Sequence, residues 1–165
     1  MKMKILAAVA VVLLAVVGTF VFTQKAVAPD VTFSALQGQT FRTADLRGKV
    51  VLVNFWATTC TTCIKEMPGL KATHEKFHAR GFETVAVAMD YDPPAQVAAY
   101  VERSALPFTF VLDRDGSIAR GFEGVRLTPT TYIVNKRGEI VQKILGEPDF
   151  IKLHALIEQL LAESA

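Results

Sequence analysis

The chain has 165 residues, enough for one domain with a real core plus an appendage. Apolar residues make up 51%, high for a soluble chain, and the excess is concentrated at the amino terminus. Once Lys2, Lys4, Lys25 and Asp30 are set aside, residues 31 to 165 carry 15 basic and 15 acidic side chains with no basic run, which excludes the clustered positive surface that nucleic-acid binding requires.

Ile5 to Phe22 carries no charge, and only Gly18 and Thr19 interrupt its apolar character. As a helix at about 1.5 Å per residue the run spans roughly 27 Å, close to the thickness of a bilayer's hydrocarbon core. Lys2 and Lys4 precede it, so the amino terminus is expected on the cytoplasmic side and everything after Phe22 outside, in the periplasm or extracytoplasmic space. Residues 1–22 are therefore expected to be an uncleaved, single-pass transmembrane anchor. The rival is a cleaved secretory signal, and "AVA" at 26 to 28 fits a small-x-small cleavage site. Against it, Pro29 would follow the cut directly, and the apolar run exceeds the roughly 7 to 15 residues such signals use. "TQKAVAPD", residues 23–30, reads as a short linker, and residues 31–165 as the folded domain.

"VTFSALQGQTF" alternates apolar and polar residues on either side of Gly38, the pattern of a β-hairpin, and "TADLRGK" makes a turn. "VVLVNFW", 50 to 56, is a nearly unbroken β-branched and aromatic run, which predicts a strand buried on both faces at the centre of the sheet. From Thr59 to about Ala79 the period becomes helical, with Ile64, Met67, Leu70 and Phe77 on one side, until Gly81 stops it. "FETVAVAM" predicts a strand, "PAQVAAYVERS" a helix opened by Pro93 and Pro94, and "FTFVLD" a strand closed by the turn "DRDG". "TTYIVNKRGEIVQKIL" predicts two strands around a turn, and a terminal helix follows from Asp149. Alternating strands and helices that end in a hairpin imply an α/β fold with a mixed sheet, and the cysteines fall where the central strand hands over to its helix, the usual place for chemistry in open sheets.

Cys60 and Cys63 are the chain's only cysteines. As a structural staple they would close so short a loop that the unfolded chain is little constrained. As a metal clip they would draw on His74 and His78, which follow in a C-x2-C…H-x3-H order. His74, however, lies 11 residues past Cys63, roughly 16 Å along a helix, and zinc bonds near 2 Å do not span that gap. Both histidines fall on the side of the helix that carries Met67 and Leu70, which makes them partly buried structural residues. A redox pair accounts for more of the surrounding residues. A cysteine at a helix amino terminus has its thiolate stabilised by unpaired N–H groups and the helix dipole. Thr58 or Thr59 is expected to cap that helix, Cys60 to attack a client, and Cys63 to resolve the mixed disulfide.

"GKVVLVNFWATTCTTCIKEMP" resembles the TlpA/ResA-like branch of the thioredoxin superfamily, in its G-K-x-V-x-V-N-F-W-A lead-in, its C-x-x-C pair, Glu66 three past the second cysteine and Pro68 five past it. The resemblance covers about residues 31 to 160, including "PFTFVLDRDG" and "LTPTTYIV". It implies a thioredoxin-like fold with an N-terminal hairpin and a βα insertion, and a thiol-disulfide oxidoreductase needing no cofactor beyond the Cys60–Cys63 disulfide and no metal. It also implies that Pro129 is a cis-proline beside the cysteines, with the backbone of Thr128 pairing with an extended client segment. Glu66 is by default a solvated helix residue; the resemblance places it near the thiols, where partial burial would raise its pKa and let it move protons. Trp56 and Pro68 read as a core ring and a helix kink, and Trp56 joins Thr128 and Pro129 as a candidate client contact.

Three departures mark this chain: Thr59 stands where the family often has tryptophan, Thr61 and Thr62 where it often has a proline, and Asn54 where thioredoxin itself has a buried acid. The resemblance implies a reductant of exported protein thiols, such as the haem-binding cysteines of apocytochrome c, fed by a transmembrane thiol electron donor. The rivals are a dithiol oxidant of the same fold, a redox-controlled copper-delivery protein and a thiol peroxidase; the Pro and Thr pattern of the peroxidases is missing.

Overall fold

The computed structural model describes residues 26–164. The chain runs through β1 (Thr32–Ser34), β2 (Thr40–Arg42), a 3-10 turn (Thr43–Leu46), β3 (Val50–Trp56), α1 (Thr61–Phe77), β4 (Phe82–Ala88), α2 (Pro94–Ser104), β5 (Thr109–Leu112), α3 (Ser117–Gly121), β6 (Thr130–Val134), β7 (Ile140–Leu145) and α4 (Phe150–Ala162). β1 and β2 form the expected antiparallel hairpin. The main sheet has the order β5-β4-β3-β6-β7, with β3, β4 and β5 parallel and β6 and β7 added antiparallel.

The apolar run of β3 predicts burial on both sides, and every one of its residues is buried. Leu52 and Trp56 face a core filled by Met67, Leu70 and Phe77 of α1 and by Leu153 and Ile157 of α4. Val51, Val53 and Phe55 face the other core, with Phe33 of the hairpin, Ile118 and Phe122 around α3, and Tyr132. This is the thioredoxin-like α/β fold, a mixed sheet covered on both faces, and it holds the end of β3 rigidly at the start of α1.

Four local expectations need correction. The helix expected from Thr59 to about Ala79 begins at Thr61 and ends at Phe77, after which a 3-10 turn (His78–Arg80) leads to Gly81 at φ 91. The short helix α3 was not foreseen, because five residues are too few for a helical period. His78 is exposed rather than partly buried. Finally, the expected linker 23–30 is partly taken into the domain: Val27 bridges Glu139, the Ile140 N–H donates to Ala26 O at 2.7 Å, and Ala28 is buried. The expected anchor, residues 1–22, lies outside the described residues; among those described, no helix is long and apolar enough to cross a membrane.

Candidate active site

Cys60 is itself the N-cap of α1, in extended conformation, and its Sγ accepts the Cys63 N–H at 3.2 Å. The threonines expected to cap do not. Thr58 is turned instead to Asp92, whose carboxylate accepts its N–H and its hydroxyl, each at 2.6 Å. The substitution has a physical reason: a cap is an acceptor aimed at the first-turn N–H groups, and sulfur fills that position once the preceding turn is tied down. Cys60 is half-buried and Cys63 fully buried, and the two form a disulfide with Cα atoms 5.2 Å apart. The less buried sulfur therefore lies at the helix terminus, where a thiolate is favoured, and the other is shielded, the division that an attacking and a resolving cysteine require.

Glu66 lies one turn beyond Cys63 on the same side of α1 and is fully buried, a deeper position than the partial burial expected. Asn54 stands opposite Thr131 in the β3–β6 register. Its Nδ2 donates to Glu66 Oε1 at 2.8 Å and to Thr131 Oγ1 at 3.0 Å. Glu66 Oε2 and Asn54 Oδ1 have no hydrogen-bond partner among the described residues. Burial raises the Glu66 pKa from the ordinary 4.5 to about 7; the Asn54 hydrogen bond opposes the shift, and the Glu147 charge adds to it. A carboxyl that titrates near neutrality one turn from a cysteine is of the kind that exchanges protons in thiol chemistry.

The Thr128–Pro129 peptide bond is cis, as expected. Thr130 pairs with Phe55, so the next step of the register sets Pro129 level with Trp56, at the end of β3 from which the chain reaches Cys60. Pro129 is buried, whereas Thr128 is half-exposed and its Oγ1 lies 3.3 Å from the hydroxyl of the exposed Tyr91. Trp56 is fully buried against Tyr100 and Phe110, with ring centroids at 5.2 and 5.6 Å, so it braces the site from within and offers a client no surface.

The structure thus brings Cys60, Cys63, Glu66, Thr128 and Pro129 to one end of the sheet. It leaves His74 and His78 at the far end of α1, stacked on each other at 4.5 Å and apart from the cysteines. Sequence reasoning missed Asp92, whose place before Pro93 and Pro94 signals only a turn, and Thr131, which the pairing register alone connects to Asn54. Asn54 was noticed only as a departure, although a buried amide on a central strand has to find partners.

Comparison with known proteins agrees with this geometry. The Redoxin family model matches residues 23–157. The thiol-disulfide oxidoreductase ResA of Geobacillus kaustophilus is 36% identical over 149 residues, covering 84% of each chain. The solution structure of a candidate thioredoxin from Neisseria meningitidis superposes with a TM-score of 0.78 at 38% identity, covering 86% of this chain and 93% of that one. The crystal structure of a candidate thiol:disulfide interchange protein DsbE from Chlorobium tepidum does so at 0.77 and 26% identity, covering 84% and 98%. A capping cysteine joined to a buried partner, a buried glutamate of raised pKa and a cis-proline loop gather at one end of the sheet, and the chain belongs to the Redoxin family as a thiol-disulfide oxidoreductase of the ResA/DsbE type.

Proposed function

We propose that the protein is a membrane-anchored, extracytoplasmic reductant of disulfides in exported proteins, with the haem-binding cysteines of apocytochrome c as its client class. The observation that carries this reading is the asymmetry of the pair: Cys60 half-exposed at the helix terminus, Cys63 buried in front of Glu66. In the reduced enzyme the Cys60 thiolate attacks one sulfur of a client disulfide; a Cys60–client bond forms, and the client's other sulfur leaves as a thiolate that takes a proton from solvent. Cys63 then gives its proton to the Glu66 carboxylate and attacks Cys60 Sγ. The Cys60–Cys63 bond forms, the mixed disulfide breaks, and the second client thiol departs. Two electrons pass to the client, and a transmembrane thiol donor restores the dithiol.

Thr128 supports the docking step, since among the described residues its backbone has no hydrogen-bond partner, as strand addition by a client requires. Thr58 and Ile64, which flank the cysteines along the chain, meet Gln96, Tyr100 and Arg103 in an open groove. The address rests on Ile5 to Phe22 behind Lys2 and Lys4. Retention of the anchor is supported by Ala26 to Ala28: the segment that would form a cleavage site pairs with residues 138–140.

Cys63→Ser removes the resolving step, so Cys60 should accumulate mixed disulfides with exported proteins, identifiable by mass spectrometry of membranes. Trapped partners confined to the cytoplasm would overturn the location. A reduction potential above about −200 mV would make the protein an oxidant instead. Amino-terminal sequencing of membrane-extracted protein should find an uncut chain, and a start at Pro29 would end the anchored reading.

A further inference from the structure

We propose that His74, His78 and Glu83 form a binding site for a divalent first-row metal ion of the zinc class, at the end of α1 remote from the cysteines. The H-x3-H spacing puts the two imidazoles one turn apart on the same side, and they lie with ring centroids 4.5 Å apart and planes 25° from parallel. β4 supplies a carboxylate five residues past the second histidine. One donor atom from each of the three side chains lies within 4.8 Å of the other two. Bonds of about 2.0 to 2.2 Å to a shared tetrahedral ion need donors roughly 3.3 to 3.6 Å apart, so a closure of about an ångström completes the site.

The residues that would move are able to. His78 and Glu83 retain side-chain exposures of 54% and 15%, whereas His74 is fixed in the core as the anchoring ligand. His74 Nδ1 lies 3.2 Å from Thr84 Oγ1, the outer-shell support that metal-ligating histidines use, whereas His78 Nδ1 lies 3.9 Å from Glu83 Oε2 and 3.2 Å from the Phe82 carbonyl, a contact it gives up on ligating the ion. Two imidazoles and one carboxylate suit zinc and its neighbours in the first transition row, and an open fourth position would take water. No thiolate is involved, which separates this site from any chemistry of the cysteine pair. One group opposes the ion: Lys49 Nζ lies 3.4 Å from Glu83 Oε2 and competes for the carboxylate. It is itself about half exposed, at 46%, and free to swing away.

The test is equilibrium dialysis of the full-length chain in detergent, disulfide formed, against zinc ions, with thermal unfolding as a second readout. One zinc per chain is expected, with a raised unfolding midpoint. His78→Ala and Glu83→Gln should each weaken retention by about tenfold or more, and Lys49→Met should strengthen it. A Cys60→Ser/Cys63→Ser chain should bind as the wild type does. Failure of the oxidised wild type to retain zinc at millimolar free ion, or retention unchanged by both His78→Ala and Glu83→Gln, would overturn the site.

Discussion

Burial sets the protonation of Glu66 behind the cysteines, and Asn54, which shares its amide hydrogens between Glu66 and Thr131, works against it. In the unfolded chain Glu66 ionises near 4.5 and in the folded chain near 7. Between those values the native state holds a proton that the unfolded state lacks, so stability falls as pH rises from about 4.5 through about 7 and is level on either side. The full difference is on the order of 3 kcal/mol at about 1.4 kcal/mol per unit. Glu66→Gln keeps an oxygen for Asn54 and removes the titration, so at pH 8 it should unfold in urea with about 1 to 3 kcal/mol more stability than wild type, and at pH 4 with nearly the same. His74 and His154, both held below the ordinary histidine value first by burial, add slopes common to both chains that cancel in the difference. Parallel profiles would mean that Glu66 titrates at the same pH folded and unfolded, and a rate of mixed-disulfide release in the variant equal to wild type, in place of the expected fall, would remove its part in proton transfer. At this scale Cys60 and Cys63 were legible because their spacing is a motif, and the cis bond before Pro129 because the family resemblance implies it. The Asn54–Glu66–Thr131 cluster was not, because it joins residues 12 and 77 positions apart through a register that no local pattern encodes.

Elements with a long period were read from the sequence nearly to their ends, whereas α3, too short to show a period, is held by the carboxylates of Asp113 and Asp115. Asp113, buried at the end of β5, accepts the Ile118 N–H at 3.0 Å and the Ala119 N–H at 2.8 Å, holding five residues in helical form where the pattern shows only a turn. Asp113→Ala strands two buried donors and should cost about 1 to 3 kcal/mol in denaturant unfolding, with Asp113→Asn recovering part of it. The packing of α1 on α4 turns on a similarly local feature. A Cβ on Gly69 would meet the Phe150 ring, with Cε1 at 2.8 Å, closer than side chains pack. Alanine gains about 1 kcal/mol of helix propensity there but displaces an aromatic ring, which costs about 1 to 3 kcal/mol. Gly69→Ala should therefore be neutral to destabilising, and the same change in a Phe150→Leu background should be stabilising. A stabilising effect in both backgrounds would show that the ring gives way freely.

For the molecule as a whole, the mixed sheet followed from the order of strands and helices, and the central place of β3 followed from its unbroken apolar run. The attachment of residues 26–28 did not, because it is made by backbone groups of a segment whose side chains carry no strand signal: Val27 is 61% exposed although it bridges Glu139. That attachment distinguishes the two fates open to the amino terminus. A chain beginning at Pro29 loses the Ile140-to-Ala26 and Ala28-to-Gly138 backbone bonds together with the buried Ala28 methyl. At about 0.5 to 1.5 kcal/mol net per bond, it should be roughly 1 to 3 kcal/mol less stable than a chain beginning at Ala26, read as a fall of several degrees in unfolding midpoint. The disulfide gives the comparison its control: joining residues three apart removes only about 2 kcal/mol of unfolded-chain entropy, so the deficit should be the same in oxidised and reduced protein. Equal midpoints for the two starts would mean that the paired segment contributes nothing to the fold, and the domain would then tolerate cleavage after Ala28 without loss.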